Sequence, residues 1–304
     1  MSRFDAGWLR HHSSFDDERA RLEHPVRLWD ASIASALPTV GYDEVMTTDA
    51  GLAAWLTAMV ENGLVLLRGA PSRPGELLRI AQRVQTPRAT NFGTVFDVMT
   101  VPNPNASADT PMGLEPHTDN ANWERPPDFQ LLFCVANAAE GGESTLVDGF
   151  RVAEELRDVD HEAFRLLATH PVGFRFHDET CDIRYAGPTI EADSGGRVVG
   201  IRFNNWLRTP FVLPQDVIEP MYRALRRFWE LLRHPRFQLR LKLNGGEMIG
   251  FDNRRVLHGR LPFNPNSGLR HIQGCSLDRD MVLSRLRVLE RPEQQPRPAR
   301  AAAM

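Results

Sequence analysis

Apolar residues recur at helical spacing over Asp49–Asn62, where Leu52, Leu56 and Val60 share a face with Ala53 and Ala54 beside it. Gly63 stands where a helix C-cap belongs, and LVLLRG (64–69) then reads as a buried strand. Residues 75–84 give a second, short helix. The stretch 85–116 is rich in Asn, Thr, Pro and Gly and reads as irregular loop, a length that usually marks function or disorder. FQLLFCVAN (129–137) reads as a core strand, Gly141-Gly142 as a turn, and STLVD (144–148) as the partner strand. Residues 150–169 are helical in two pieces broken near 158–160, and 216–233 is the clearest helix, with Met221, Leu225, Phe228, Trp229 and Leu232 on its apolar face. FQLRLKL (237–243) alternates with strand period, NGG (244–246) turns and EMIGFD (247–252) returns; RHIQGCSLD (270–278) is a further strand. Strands gathered in the middle and last thirds, with helices before and between, predict an antiparallel sandwich or jelly roll with helical insertions. That is a mainly β chain of the α+β class. The expected division is an N-terminal wrapping segment (1–36), a jelly-roll domain (37–290) and a Pro-rich disordered tail (291–304).

Composition narrows the class. With 304 residues, 36 Lys+Arg against 39 Asp+Glu, and a net charge of −3, the chain is neither a basic nucleic-acid coat nor an acidic disordered polymer. Three widely spaced cysteines, Cys134, Cys181 and Cys275, exclude a disulfide scaffold and fit a reducing cytoplasm. No uncharged apolar run approaches the roughly 18–20 residues of a membrane span. The charged N-terminus lacks the apolar stretch of a signal peptide. The expectation is a cytoplasmic protein acting on a small molecule, without nucleic-acid or membrane partners, and with a homodimer left open.

His117-Thr118-Asp119 is the sharpest local signal, because strand alternation turns the imidazole and the carboxylate to the same side. A third ligand is offered by His258 in RVLHGR (255–260), which closes a strand after a turn. Two histidines and one carboxylate leave three octahedral positions open, the arrangement that suits non-haem Fe(II) and O2. The plainer reading makes His117 a surface-loop residue and His258 a satisfied core residue. Arg270 shares a strand face with Ile272, Gly274 and Ser276, and an inward guanidinium is costly unless it meets an anion. Its planar fork suits the far carboxylate of a diacid that chelates the metal, with Ser144 as a second donor; the alternative is an ordinary edge-strand arginine.

The segments EPHTDN (115–120), FQLLFCVANAAEGGESTLVDGF (129–150), IRFNN (201–205), GEMIGFDNRRVLHGR (246–260) and RHIQGC (270–275) resemble the Fe(II)/2-oxoglutarate dioxygenases of the taurine dioxygenase superfamily. Within them the chain is most similar to the gamma-butyrobetaine hydroxylase branch, from about Trp8 to Leu289. The resemblance implies a double-stranded β-helix, iron held by His117, Asp119 and His258, 2-oxoglutarate held by Arg270 and Ser144, and O2 as oxidant. Asp119 implies C–H hydroxylation, since halogenating relatives lack that carboxylate. The cysteines of the branch's N-terminal zinc domain are absent, so structural zinc is not expected.

The trimethylammonium-binding members use an aromatic cage, because a quaternary cation has no N–H to donate and is best held by π faces. Carried over position by position, that cage falls on Phe92, Phe96, Asp109 and Ser276, two of which are no longer aromatic. Asp109 instead suits an ammonium or guanidinium group. Asn204 and Asn205 match the family's FNN segment and are candidates for the polar end of the substrate; Trp206 narrows the pocket. The expected substrate is therefore a small polar, cationic, amino-acid-like metabolite. A trimethylammonium hydroxylase with a rebuilt cage and a non-catalytic jelly-roll binding protein are the rivals.

Overall fold

The computed structural model describes residues 24–100 and 110–290. Asp109, the first 23 residues of the wrapping segment and the tail 291–304 lie outside the described residues. Two sheets face each other. The larger has the order β1 (Thr39–Gly41), β2 (Leu64–Arg68), β12 (Met248–Asp252), β5 (Phe129–Asn137), β14 (Arg270–Leu277), β3 (Val95–Val98). The smaller has the order β11 (Gln238–Leu241), β6 (Ser144–Asp148), β13 (Val256–Arg260), β4 (Leu114–His117). The expected jelly-roll core with helical insertions is present.

Strand alternation sorts side chains between the two sides of each sheet. Along β5, Phe129, Leu131 and Phe133 turn outward beneath helices, while Leu132 and Cys134 turn into the sandwich with Leu64, Leu66, Leu146, Ile249, Phe251, Val256 and Ile272. The outer cover of the large sheet comes from α1 (Tyr42–Thr47), α2 (Asp49–Asn62), α3 (Glu76–Ala81) and α7 (Arg279–Leu289). In α2 the buried face is Leu52, Trp55, Leu56 and Met59, with Val60 only at its margin. Thr48 caps its start through Gly51 N–H, and Gly63 ends it in the left-handed region at φ 71°. The outer face of the small sheet, with Val147 and Leu257, lies under α4 (Gly149–Val159), α5 (His161–Thr169) and α6 (Gln215–Arg233).

Strand pairing departs from the sequence reading twice. STLVD is not the partner of FQLLFCVAN: β6 pairs with β11 and β13, while β5 pairs with β12 and β14. FQLRLKL and EMIGFD likewise belong to different sheets. In a jelly roll the chain crosses between sheets at these connections, and a local turn signal does not reveal whether the next strand returns beside its predecessor or opposite it. The stretch 85–116 holds the short strands β3 and β4 rather than loop alone. Two hairpins, β7 (Val172–His177) with β8 (Asp182–Gly187) and β9 (Ile190–Ala192) with β10 (Val198–Ile201), occupy a region without a clear apolar period.

A buried clasp ties the N-terminal segment to this core. Arg255 donates to both oxygens of Asp148, at 3.0 and 2.7 Å, and to the carbonyls of Glu61 and Arg27. Asp148 also caps α4 through the N–H groups of Phe150 and Arg151, and accepts from Trp29 N–H. The Trp29 indole donates to the Asn62 carbonyl at 2.7 Å.

Candidate active site

The site forms between the sheets, where β4 and β13 run side by side. His117 and His258 are direct register partners, their rings 4.4 Å apart, with Phe251 of the large sheet against His258. His258 sits in the middle of β13, not at its close. Asp119 lies past the end of β4, in a turn where Asn120 takes φ 54°. Its Oδ1 approaches His117 Nε2 at 3.2 Å and His258 Nε2 at 3.7 Å, so a turn, rather than simple alternation, completes the cluster. One donor atom from each residue falls within 4.8 Å of the others.

The donor set fits a first-row divalent metal. His117 Nδ1 lies 2.9 Å from the Glu115 carbonyl, which makes Nδ1 the N–H donor and leaves the Nε2 lone pair aimed at the cluster, as metal-ligating histidines require. The Asp119 carboxyl is half-buried, which opposes its charge, yet His258, His117 and Gln130 hold it below the ordinary carboxylate range. Burial pushes His258 down to about 4, so its imidazole is neutral and ready to ligate at neutral pH. Burial also opposes charge on His117, but the Asp119 carboxylate outweighs it and raises that imidazole.

Arg270 opens β14 on the inward face and is buried, its guanidinium 5.3 Å from the Phe263 ring centroid. No carboxylate pairs with it among the described residues, and its Nε has no hydrogen-bond partner. Gly142, at φ 71°, lets this side chain pass: a Cβ there would stand 3.2 Å from Arg270 Nε. Ser144 follows on the face of Leu146, which is the register partner of His258. One pleat repeat of about 7 Å therefore separates Ser144 from the position beside the histidine.

A cavity of about 430 Å³ opens from the cluster. His117, Asp119, Phe92, Phe96, Asn204, Trp206 and Ser276 line it, whereas Asn205, Ser144 and Arg270 do not. The Phe96 ring lies across Gly274, where any Cβ would collide with it. The amide of Asn204 is engaged by Trp206 N–H, Leu207 N–H and the Thr118 carbonyl, which makes it a brace for the wall.

Four contributors escaped the sequence reading. Phe176 of β7 meets Phe92 edge-on, centroids 5.5 Å apart, and lines the cavity. Gln130 donates to Asp119 Oδ2 at 2.6 Å; a lone amide among the apolar residues of FQLLFCV was its signal. Asn253 accepts from Asp119 N–H at 2.8 Å and donates to its carbonyl at 3.1 Å. Arg202 is buried and donates to the carbonyls of Ala121, Trp123 and Glu124, fixing the turn that follows Asp119.

The profile of the family described as "Taurine catabolism dioxygenase TauD, TfdA family" matches residues 24–276. A gamma-butyrobetaine dioxygenase of Pseudomonas sp. (strain AK-1) is 42% identical over 294 residues, covering 95% of this chain and 76% of that protein. The mitochondrial trimethyllysine dioxygenase of Bos taurus is 29% identical over 297 residues, covering 95% of this chain and 70% of that protein. Among solved structures, an asparagine oxygenase in complex with Fe(II), 3-hydroxyasparagine and succinate superposes with a TM-score of 0.58 at 21% identity, over 84% of this chain and 93% of the other. That likeness confirms the fold. No helix among the described residues is long and apolar enough to cross a membrane.

Proposed function

The chain belongs to the TauD/TfdA family of dioxygenases, and on that footing we propose a division of labour among its own residues. It is an Fe(II)- and 2-oxoglutarate-dependent dioxygenase that takes a small-molecule substrate. In our reading His117, Asp119 and His258 hold the iron, and Arg270 with Ser144 holds the far carboxylate of 2-oxoglutarate. The convergence of the three side chains on one point carries this assignment. Bound together, iron, 2-oxoglutarate and O2 supply an oxidant able to attack a C–H bond, with succinate and CO2 released.

The protein's part is orientation and exclusion of water. Arg270 offers a desolvated bidentate donor with no internal acid to satisfy it, so a diacid is captured in one orientation. Phe251 and Phe96 wall the reacting region with hydrocarbon. Phe92, Phe176 and Trp206 shape the mouth, and the C–H bond they present nearest the iron is the one oxidised.

The substrate we assign is a small cationic, amino-acid-like metabolite, and hydroxylation is the outcome. The relatives' names, gamma-butyrobetaine and trimethyllysine dioxygenase, support a cation. A second reading, a trimethylammonium compound, is favoured by one observation: Phe176, packed edge-on against Phe92, adds an aromatic ring to a cavity wall whose carried-over cage positions are depleted of aromatics. Fe(II) and 2-oxoglutarate added anaerobically should produce a metal-to-ligand charge-transfer band, and absence of the band in folded protein would remove the iron assignment. Coupled succinate formation across matched ammonium, guanidinium and trimethylammonium compounds then decides between the two readings.

A further inference from the structure

The two oxygens of Asp119 have different surroundings. Oδ1 faces both imidazoles, at 3.2 and 3.7 Å, and so points to where the three donors converge. Oδ2 accepts from Gln130 Nε2 at 2.6 Å. A carboxylate only accepts hydrogen bonds, so the nitrogen of the Gln130 amide must be the end that faces it. Gln130 is 2% exposed and inward-facing on β5, beside its register partners Ser276 and Phe251, which leaves it little freedom to turn away. The backbone of Asp119 is gripped separately by Asn253, on both its N–H and its carbonyl. The carboxylate is thus fixed at both ends, with one oxygen free to ligate and the other capped.

Counting coordination positions shows what the cap achieves. Two imidazoles and one carboxylate oxygen leave three octahedral positions; a chelating 2-oxo acid takes two, and O2 needs the last. A carboxylate that ligates through both oxygens removes that last position. Carboxylates adopt both modes readily, so the choice must be imposed from outside the metal. We propose that Gln130 is a positioning residue that holds Asp119 to one-oxygen ligation and thereby keeps a coordination position open for O2. The proposal rests on the reading of His117, Asp119 and His258 as the iron ligands.

The test compares wild type with Gln130→Met, which keeps length and volume but has no donor. Anaerobic Fe(II) and 2-oxoglutarate should bind both proteins with affinities within about threefold, because a two-oxygen Asp119 does not weaken the metal. X-ray absorption should then show an additional oxygen neighbour at the iron of the variant. Mixing with air-saturated buffer should bleach the charge-transfer band roughly tenfold more slowly in the variant than in wild type, the scale typical for residues that orient ligands. An unchanged iron shell together with an unchanged bleaching rate overturns the proposal, as does a loss of iron affinity that accounts for the slower bleaching. Should Gln130→Met fail to fold, wild type alone still decides: a two-oxygen Asp119 in its X-ray absorption spectrum refutes the idea. No band in wild type is a different result, since it sinks the iron assignment itself and this inference with it.

Discussion

Two of the buried arginines, Arg255 and Arg270, have opposite surroundings. Arg255, 2% exposed at its side chain, meets Asp148 with two hydrogen bonds and reaches the carbonyls of Glu61 and Arg27. Arg270 is nearly as buried but has no acid among the described residues, and burial lowers its grip on its proton. A buried charge without a partner costs free energy, so a fold keeps one only where something else supplies the counter-charge. On the proposed function, the contrast separates an arginine that builds the fold from one kept for a ligand. Burial and residue type are the same in both, and only the partner list distinguishes them.

Removing the partner of Arg255 is expected to have the largest effect. Asp148→Ala leaves the guanidinium buried and unpaired, uncaps α4 and frees Trp29 N–H. A loss of about 3–5 kcal/mol in unfolding free energy is expected from urea titration, the range for breaking a buried pair. Replacing both members, as in Asp148→Leu with Arg255→Leu, should recover part of that loss; if the double variant is no more stable than the single one, the pair is not the source of the cost.

Arg270→Leu should behave in the reverse way. With no internal partner to strand, the substitution leaves unfolding free energy unchanged or raises it. Affinity for 2-oxoglutarate should fall about 100-fold, near 2.7 kcal/mol, as expected for a bidentate charged hydrogen bond. The charge-transfer band titrated with 2-oxoglutarate measures this. Destabilisation as large as that of Asp148→Ala, or undiminished 2-oxoglutarate affinity, would erase the distinction between the two arginines.

Neither arginine's role could be settled from the sequence in full. Arg270 stood out because strand alternation placed it with Ile272 and Gly274 on an inward face, and the structure keeps that face despite a register shift after His271. Arg255, one of two adjacent arginines in FDNRR, gave no such cue, because its partner Asp148 is 107 residues away. The same limit applies at the site. His117, Asp119 and His258 were legible as residue types, but Asp119 is placed by a turn and by Asn253, which no periodicity encodes. Gln130 and Phe176 were hidden for a related reason: each becomes part of the site only when distant segments, 11 residues from Asp119 and 84 from Phe92, are brought together. Local periodicity sets the inward face of a strand. Which sheet that strand joins is a long-range matter, and the misassigned partners of β5 and β6 show it.

The smallest effect concerns the histidines of the candidate site, in metal-free protein. His258 titrates at about 4 when folded, against 6.5 for the reference side chain, because burial disfavours its charge. The unfolded chain therefore takes up this proton first, and stability falls as pH drops from about 6.5 toward 4. His117 runs the other way: its raised value gives stability that is fully present below 6.5 and is lost as pH climbs through the folded value. The Asp119 contribution is present above 3.8 and is lost only at more acid pH, outside this window. The two histidines thus oppose each other, but the larger shift is that of His258, so metal-free protein should lose roughly 1 kcal/mol between pH 6.5 and pH 5. Urea titrations at pH 7.5, 6.5 and 5 measure the profile. His258→Ala should flatten its acid limb while leaving the Arg255 clasp intact. A limb that survives this change would place the titrating group elsewhere and dissolve the link between the buried His258 imidazole and the acid sensitivity, leaving the two arginines as the only contrast between fold and site.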